Sequence, residues 1–171
     1  MNIIEILSDK SLKSIEKRKL MVTGLLSEEF TVGTLPQLND VQTGIALEAM
    51  EEISQKEATI INENWLKFAE KYIDSGNNTL KREAARVTGN IAHIFSEKLE
   101  GIIPKLLQNA ENESTVIRWS SGYSLGRIIQ IPKFAKSDLF DILSKIAENE
   151  QDNGVKNQYL NGLKKASKIR V

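Results

Sequence analysis

A chain of 171 residues is long enough to bury a core of its own, and we expect one domain. The absence of cysteine excludes disulfides and thiolate metal sites, and a single histidine excludes a metal site built on two. Lys+Arg and Asp+Glu are 23 each, but residues 1–75 carry a net −5 and residues 76–171 a net +5, without the strong basic excess of a general nucleic-acid binder.

No apolar run approaches the roughly 20 residues that cross a bilayer. The start, MNIIEILSDK, lacks a basic stretch followed by an apolar one. The expectation is a cytoplasmic protein with no membrane attachment. Three prolines and little β-branched alternation favour helix over strand.

In chain order, Leu12, Ile15, Val22 and Leu26 predict a helix from about Leu12 to Ser27. FTVGTLPQLND (30–40) is too short for a full helix, so residues 1–34 read as an irregular cap. Helical stripes then alternate with polar turns. Gln42 begins QTGIALEAMEEI. Residues 62–74 place Trp65, Phe68, Ala69 and Ile73 on one stripe, and LKREAARVTGNI follows from Leu80. Residues 99–110 carry Ile103, Leu106 and Leu107, followed by IRWSSGYSLGRI from Ile117. Residues 137–147 carry Leu139, Ile142, Leu143 and Ile146, with Ser137 as the expected N-cap, followed by VKNQYLNGLKKA from Val155. The turns between paired helices are SGNN (75–78), ENES (111–114) and QDNG (151–154).

The four segments beginning at Gln42, Leu80, Ile117 and Val155 align without gaps, at spacings of 38, 37 and 38. With the first residue of each numbered zero, position four is Ala46, Ala84, Ser121 and Tyr159. Position eight is Met50, Thr88, Leu125 and Leu163, and position eleven is Ile53, Ile91, Ile128 and Ala166. Positions 0, 4, 8 and 11 share one helix face, the expected core stripe. Each unit is helix A, a polar turn and helix B.

The stretch IIPKLLQNAENESTVIRWSSGYSLGRII (102–129) resembles a HEAT repeat. It has an early proline in helix A (Pro104), the pair Leu106 and Leu107, the step Ile117-Arg118, a small residue at Ser121, and Leu125-Gly126 before Ile128. TLKREAARVTGNI (79–91) is similar to the second half, with Lys81 and Gly89. The first and last copies depart from the pattern at position nine, where Glu51 and Lys164 replace glycine. The resemblance covers about residues 35–168. It implies an all-α fold: an α-α superhelix of about four helical hairpins over 35–56, 57–96, 97–133 and 134–171. It implies that Arg118 links adjacent repeats through Glu111 or Asn112. It also implies that helices B line a concave binding face.

Positions 2, 6, 10 and 13 point away from the core stripe. They form four ridges: Gly44, Glu48, Glu52, Gln55; Arg82, Arg86, Asn90, His93; Trp119, Tyr123, Arg127, Gln130; Asn157, Asn161, Lys165, Lys168. Trp, Tyr and Arg dominate interface hot spots. The expected partner-binding residues are therefore Arg82, Arg86, Asn90, Trp119, Tyr123 and Arg127. The competing reading is internal pairing, with Glu48 and Glu52 on Arg82 and Arg86, and Trp119 stacked under an arginine.

Catalytic readings are weaker. His93, the single histidine, lies on the outer face of its helix, and neither GxxxxGK[ST] nor GxGxxG occurs. Glu51 and Glu52 read as ordinary helix surface, and Lys17, Arg18 and Lys19 as a solvated face. Some DNA glycosylases use a HEAT-like solenoid with a catalytic aspartate, but no aspartate occupies an outward helix-B position. The expectation is a non-catalytic scaffold without cofactor or metal that binds a protein or peptide. Phosphate-backbone binding to nucleic acid is the alternative.

Overall fold

The computed structural model describes residues 2–56 and 59–171. The expected repeat boundary at residue 57 lies outside the described residues. The described residues form an all-α protein with no strand, and none of their helices is long and apolar enough to cross a membrane. The chain comprises two compact units, residues 1–87 and 88–171.

The N-terminal unit opens with a short helix, α1 (Ile3–Ser8), which Asn2 caps by accepting from the Ile4 amide. α2 (Ser14–Leu26) falls within the predicted 12–27. It ends with Glu28 in the left-handed region at φ 56. The Glu29 amide donates to the Gly24 carbonyl and the Glu28 amide to that of Leu25. That is a Schellman closure with glutamate where glycine is usual. The stretch 30–39, where no full helix is expected, holds only a 3-10 turn, Val32–Thr34.

α3 (Asp40–Ser54) starts at a reciprocal cap. Asn39 accepts from the Gln42 amide, and the Gln42 side chain accepts from that of Asn39. α2 packs on α3. α4 (Glu63–Tyr72), capped by Asn62, buries Trp65, Leu66 and Ala69. α5 (Asn78–Ile91) begins in this unit and ends in the next. Gly44 of α3 lies against Thr79 and Leu80, so this position of the first ridge is buried rather than outward.

In the C-terminal unit, α6 (Ile103–Asn109) starts later than the predicted 99, with Pro104 in its first turn, where a missing amide hydrogen costs nothing. α7 (Thr115–Ile128) packs on α6. A one-turn helix, α8 (Pro132–Ala135), precedes α9 (Leu139–Asn149). The residue flanking α9 is Asp138, not Ser137, although the Ser137 hydroxyl accepts from the Leu139 amide at 3.2 Å. α10 (Asn153–Arg170) is capped by Asp152 and packs on both α9 and α7.

The core follows the repeat register. Residues at positions 4, 8 and 11 of α3, α5, α7 and α10 are buried, as are Leu80, Ile117 and Val155 at position zero. Gln42 alone of the stripe is half-buried. Successive helices B in the C-terminal unit approach to backbone contact at one recurrent pair of positions. A Cβ on Gly89 would lie 2.8 Å from Ser124 Cα, and one on Gly162 would overlap the Gly126 backbone. Both pairs join position nine of one copy to position seven of the next. The glycine of the HEAT-like pattern is thus a packing residue here.

Candidate functional site

Trp119, Tyr123 and Arg127 are spaced four apart on α7, so they stack along one helix face. The Trp119 and Tyr123 rings are 5.4 Å apart at 27°, and the Arg127 guanidinium carbon lies 3.7 Å from the Tyr123 centroid. The Tyr123 hydroxyl donates to Asn90 Oδ1 on α5 at 2.5 Å. Four of the six residues expected from the sequence therefore meet in one array within the C-terminal unit. Trp119 and Tyr123 are half-buried and Arg127 is exposed. The core-facing stripe of α7 supplies the rigidity, because Ile117, Ser121, Leu125 and Ile128 are all buried.

Beside Arg127 opens a cleft of about 330 Å³ lined by Gly89, Asn90, His93, Arg127, Gln130 and Ile131. No carboxylate lines it. His93 and Gln130 were placed on the outward ridges by the sequence but not among the expected site residues. Their shared position at the C-terminal ends of α5 and α7 was the available signal.

Arg82 and Arg86 lie in the N-terminal unit and are held by acids. Arg82 Nε is 2.7 Å from Glu83, and Arg86 is 2.8 Å from Glu51 and 3.5 Å from Glu83. Glu83 and Glu51 thus take the place expected for Glu48 and Glu52, and Glu52 pairs with Arg18 at 3.4 Å. Glu51 also corrects the surface reading, because it is buried at 7% exposure, as is Glu83 at 3%. Arg18, read as part of a solvated basic face, lines a cleft of about 210 Å³ with Glu48, Glu51, Glu52, Gln55, Glu83 and Arg86. Burial, and then the neighbouring charge of Glu83, push the Glu48 carboxyl above its usual range against the pull of Arg18, Arg82 and Arg86. The sequence signal for Glu51 was its place at position nine, where a buried glycine stands in the next two copies.

Arg118 is structural, but through a different carboxylate than expected. Its Nε and Nη2 donate to Glu150 at 3.0 and 3.3 Å, and its Nη1 donates to the backbone carbonyls of Asn112 and Glu113. Glu150 precedes the next helix B, so the link runs forward one repeat rather than to Glu111. Burial pushes the Glu150 carboxyl up. Arg118 and the Asp152 and Gln151 amides outweigh that and hold it below the usual value.

Among the described residues, no group of three or more His, Asp or Glu side chains is placed to hold a metal ion. Comparison with protein-family models, with curated proteins and with solved structures finds no significant match.

Proposed function

We propose that the chain is a HEAT-type helical-repeat scaffold that is not catalytic and docks a protein or peptide on the outward face of its B helices. The observation that carries this reading is the Trp119–Tyr123–Arg127 stack on α7. It gathers the three residue types richest in binding energy at interfaces on one face, ordered before any partner arrives. The repeat reading is supported by the gapless register, by the recurrent contact between positions nine and seven, and by the forward link from Arg118 to Glu150.

Phosphate-backbone binding would draw on Arg82, Arg86 and Arg127. The first two are already bonded to Glu83 and Glu51, which a phosphate would have to displace. That favours the protein reading.

The test is affinity capture with wild type and with Trp119→Ala, followed by the affinity of each for the captured protein and the melting temperature of each sample. Loss of an interface tryptophan should weaken binding by about 2 kcal/mol or more, roughly 30-fold, with little change in melting temperature. A large drop in melting temperature with unchanged affinity would show that the stack serves the fold instead.

A further inference from the structure

Six arginines occur in the chain. Five have oxygen partners. Arg18 pairs with Glu52, Arg82 with Glu83, Arg86 with Glu51, Arg118 with Glu150, and Arg170 donates to the Ala135 carbonyl. Among the described residues, Arg127 is the one whose partner is a ring face alone. A guanidinium stacked on an aromatic face keeps its N–H donors in the plane of the group, at its edges, where they can form a two-point bond to a carboxylate. Stacking also fixes the group before a ligand arrives, so less side-chain entropy is lost on binding.

The cleft beside Arg127 suits an anion. Its polar lining is Asn90, His93, Arg127 and Gln130, with no acid among them. Asn90 is oriented by the phenol that donates to its carbonyl oxygen, which turns the amide nitrogen away from that phenol. Gln130 is oriented by its own amide, which donates to the Gly126 carbonyl at 2.7 Å. A cationic ligand would meet the Arg127 charge with no lining carboxylate to offset it.

The charge of the anion follows from the surroundings. The cleft lies at the C-terminal turns of α5 and α7, where the helix dipole is negative. One permanently charged side chain set against two such helix ends suits a monoanion better than a dianionic phosphate.

We infer that this cleft takes a carboxylate presented by the partner that docks along Trp119 and Tyr123: a peptide in which an acidic side chain follows an apolar one. The inference rests on the proposed docking role of the α7 face and names the chemistry that face selects.

The test follows the Arg127 Nε–H resonance by NMR during four titrations: N-acetylglutamate amide, its neutral isostere N-acetylglutamine amide, inorganic phosphate, and a short peptide with one leucine and one glutamate. The expected result is a saturable shift with both glutamate compounds and none with the glutamine one. The peptide should bind at least tenfold tighter than N-acetylglutamate amide, and Trp119→Ala should erase that difference. Arg127→Gln should cost the peptide at least tenfold in affinity, monitored by a reporter on the peptide, while Arg127→Lys should lose less.

Equal shifts with the glutamine isostere would overturn the carboxylate, as would phosphate binding tighter than the peptide. Equal affinity of the peptide and N-acetylglutamate amide would overturn a peptide as its source. A silent Arg127, with capture still dependent on Trp119, would remove this inference and leave the docking role standing.

Discussion

Tyr159 occupies position four of the last copy, where the other three copies carry Ala46, Ala84 and Ser121. The ring is fully buried, and Gly122 on α7 makes room for it: a Cβ there would stand 3.0 Å from the tyrosine Cε2. Burial, and then the charge of Glu150, push the phenol well above its usual value near 10. In the unfolded chain the same phenol ionises from about pH 10 upward. There the unfolded state holds fewer protons than the folded one, so stability must fall as pH rises past that point, by up to about 1.4 kcal/mol per pH unit. Urea midpoints between about pH 9 and pH 11 should drop more steeply for wild type than for Tyr159→Phe; parallel curves would show that the phenol does not govern the alkaline limb. Side-chain pairings of this kind were the least legible part of the sequence. Glu51 looked like helix surface because its burial depends on Arg86, 35 residues away, and helix periodicity describes only neighbours on one helix. The sequence does not point Arg118 to Glu150, because a carboxylate 32 residues on is reached only through the hairpin packing.

At the scale of elements, periodicity located the long helices to within a few residues, because each presents a stripe at 3.6-residue spacing to a core. It failed where an element is too short to show a period. α1 has six residues and α8 has four, and neither was expected. α6 starts four residues later than read, as Leu99 is buried ahead of the helix rather than within it. The glycines divide by what faces them. On Gly162 a methyl group would enter the Gly126 backbone, which cannot rotate aside as a side chain can. Gly162→Ala gains about 1 kcal/mol of helix propensity, but forcing α10 off α7 should outweigh that, for a net loss of about 2 kcal/mol or more. Gly76, in the turn before α5, has nothing within 4 Å of an added methyl and no positive φ. Gly76→Ala should stabilise by roughly 0.4–1 kcal/mol through the unfolded chain. Chemical denaturation of the two variants checks both signs. Loss of stability at Gly76, or tolerance at Gly162, would contradict the packing described.

For the whole molecule, the zero net charge is the sum of two unequal parts. Residues 1–87 carry 11 basic and 14 acidic side chains, a net −3, and residues 88–171 carry 12 basic and 9 acidic, a net +3. A chain near its isoelectric point of 6.6 has little net repulsion to keep copies apart. The opposite signs of the two units add an orientation-dependent attraction between copies, negative part to positive part. That attraction must be sensitive to salt. The screening length is about 30 Å at 0.01 M and about 8 Å at 0.15 M. Static light scattering at neutral pH should therefore give a more negative second virial coefficient at low salt than at physiological salt. Reversing the sign of one unit's excess should reverse that difference. Lys164→Glu and Lys165→Glu together, at two exposed positions of α10, take the C-terminal unit from +3 to −1 while leaving its core stripe untouched. With both units then negative, added salt should favour association by screening repulsion, so the sign of the salt effect should invert. If wild type and the double variant respond to salt alike, apolar contacts rather than the charge asymmetry govern how copies meet.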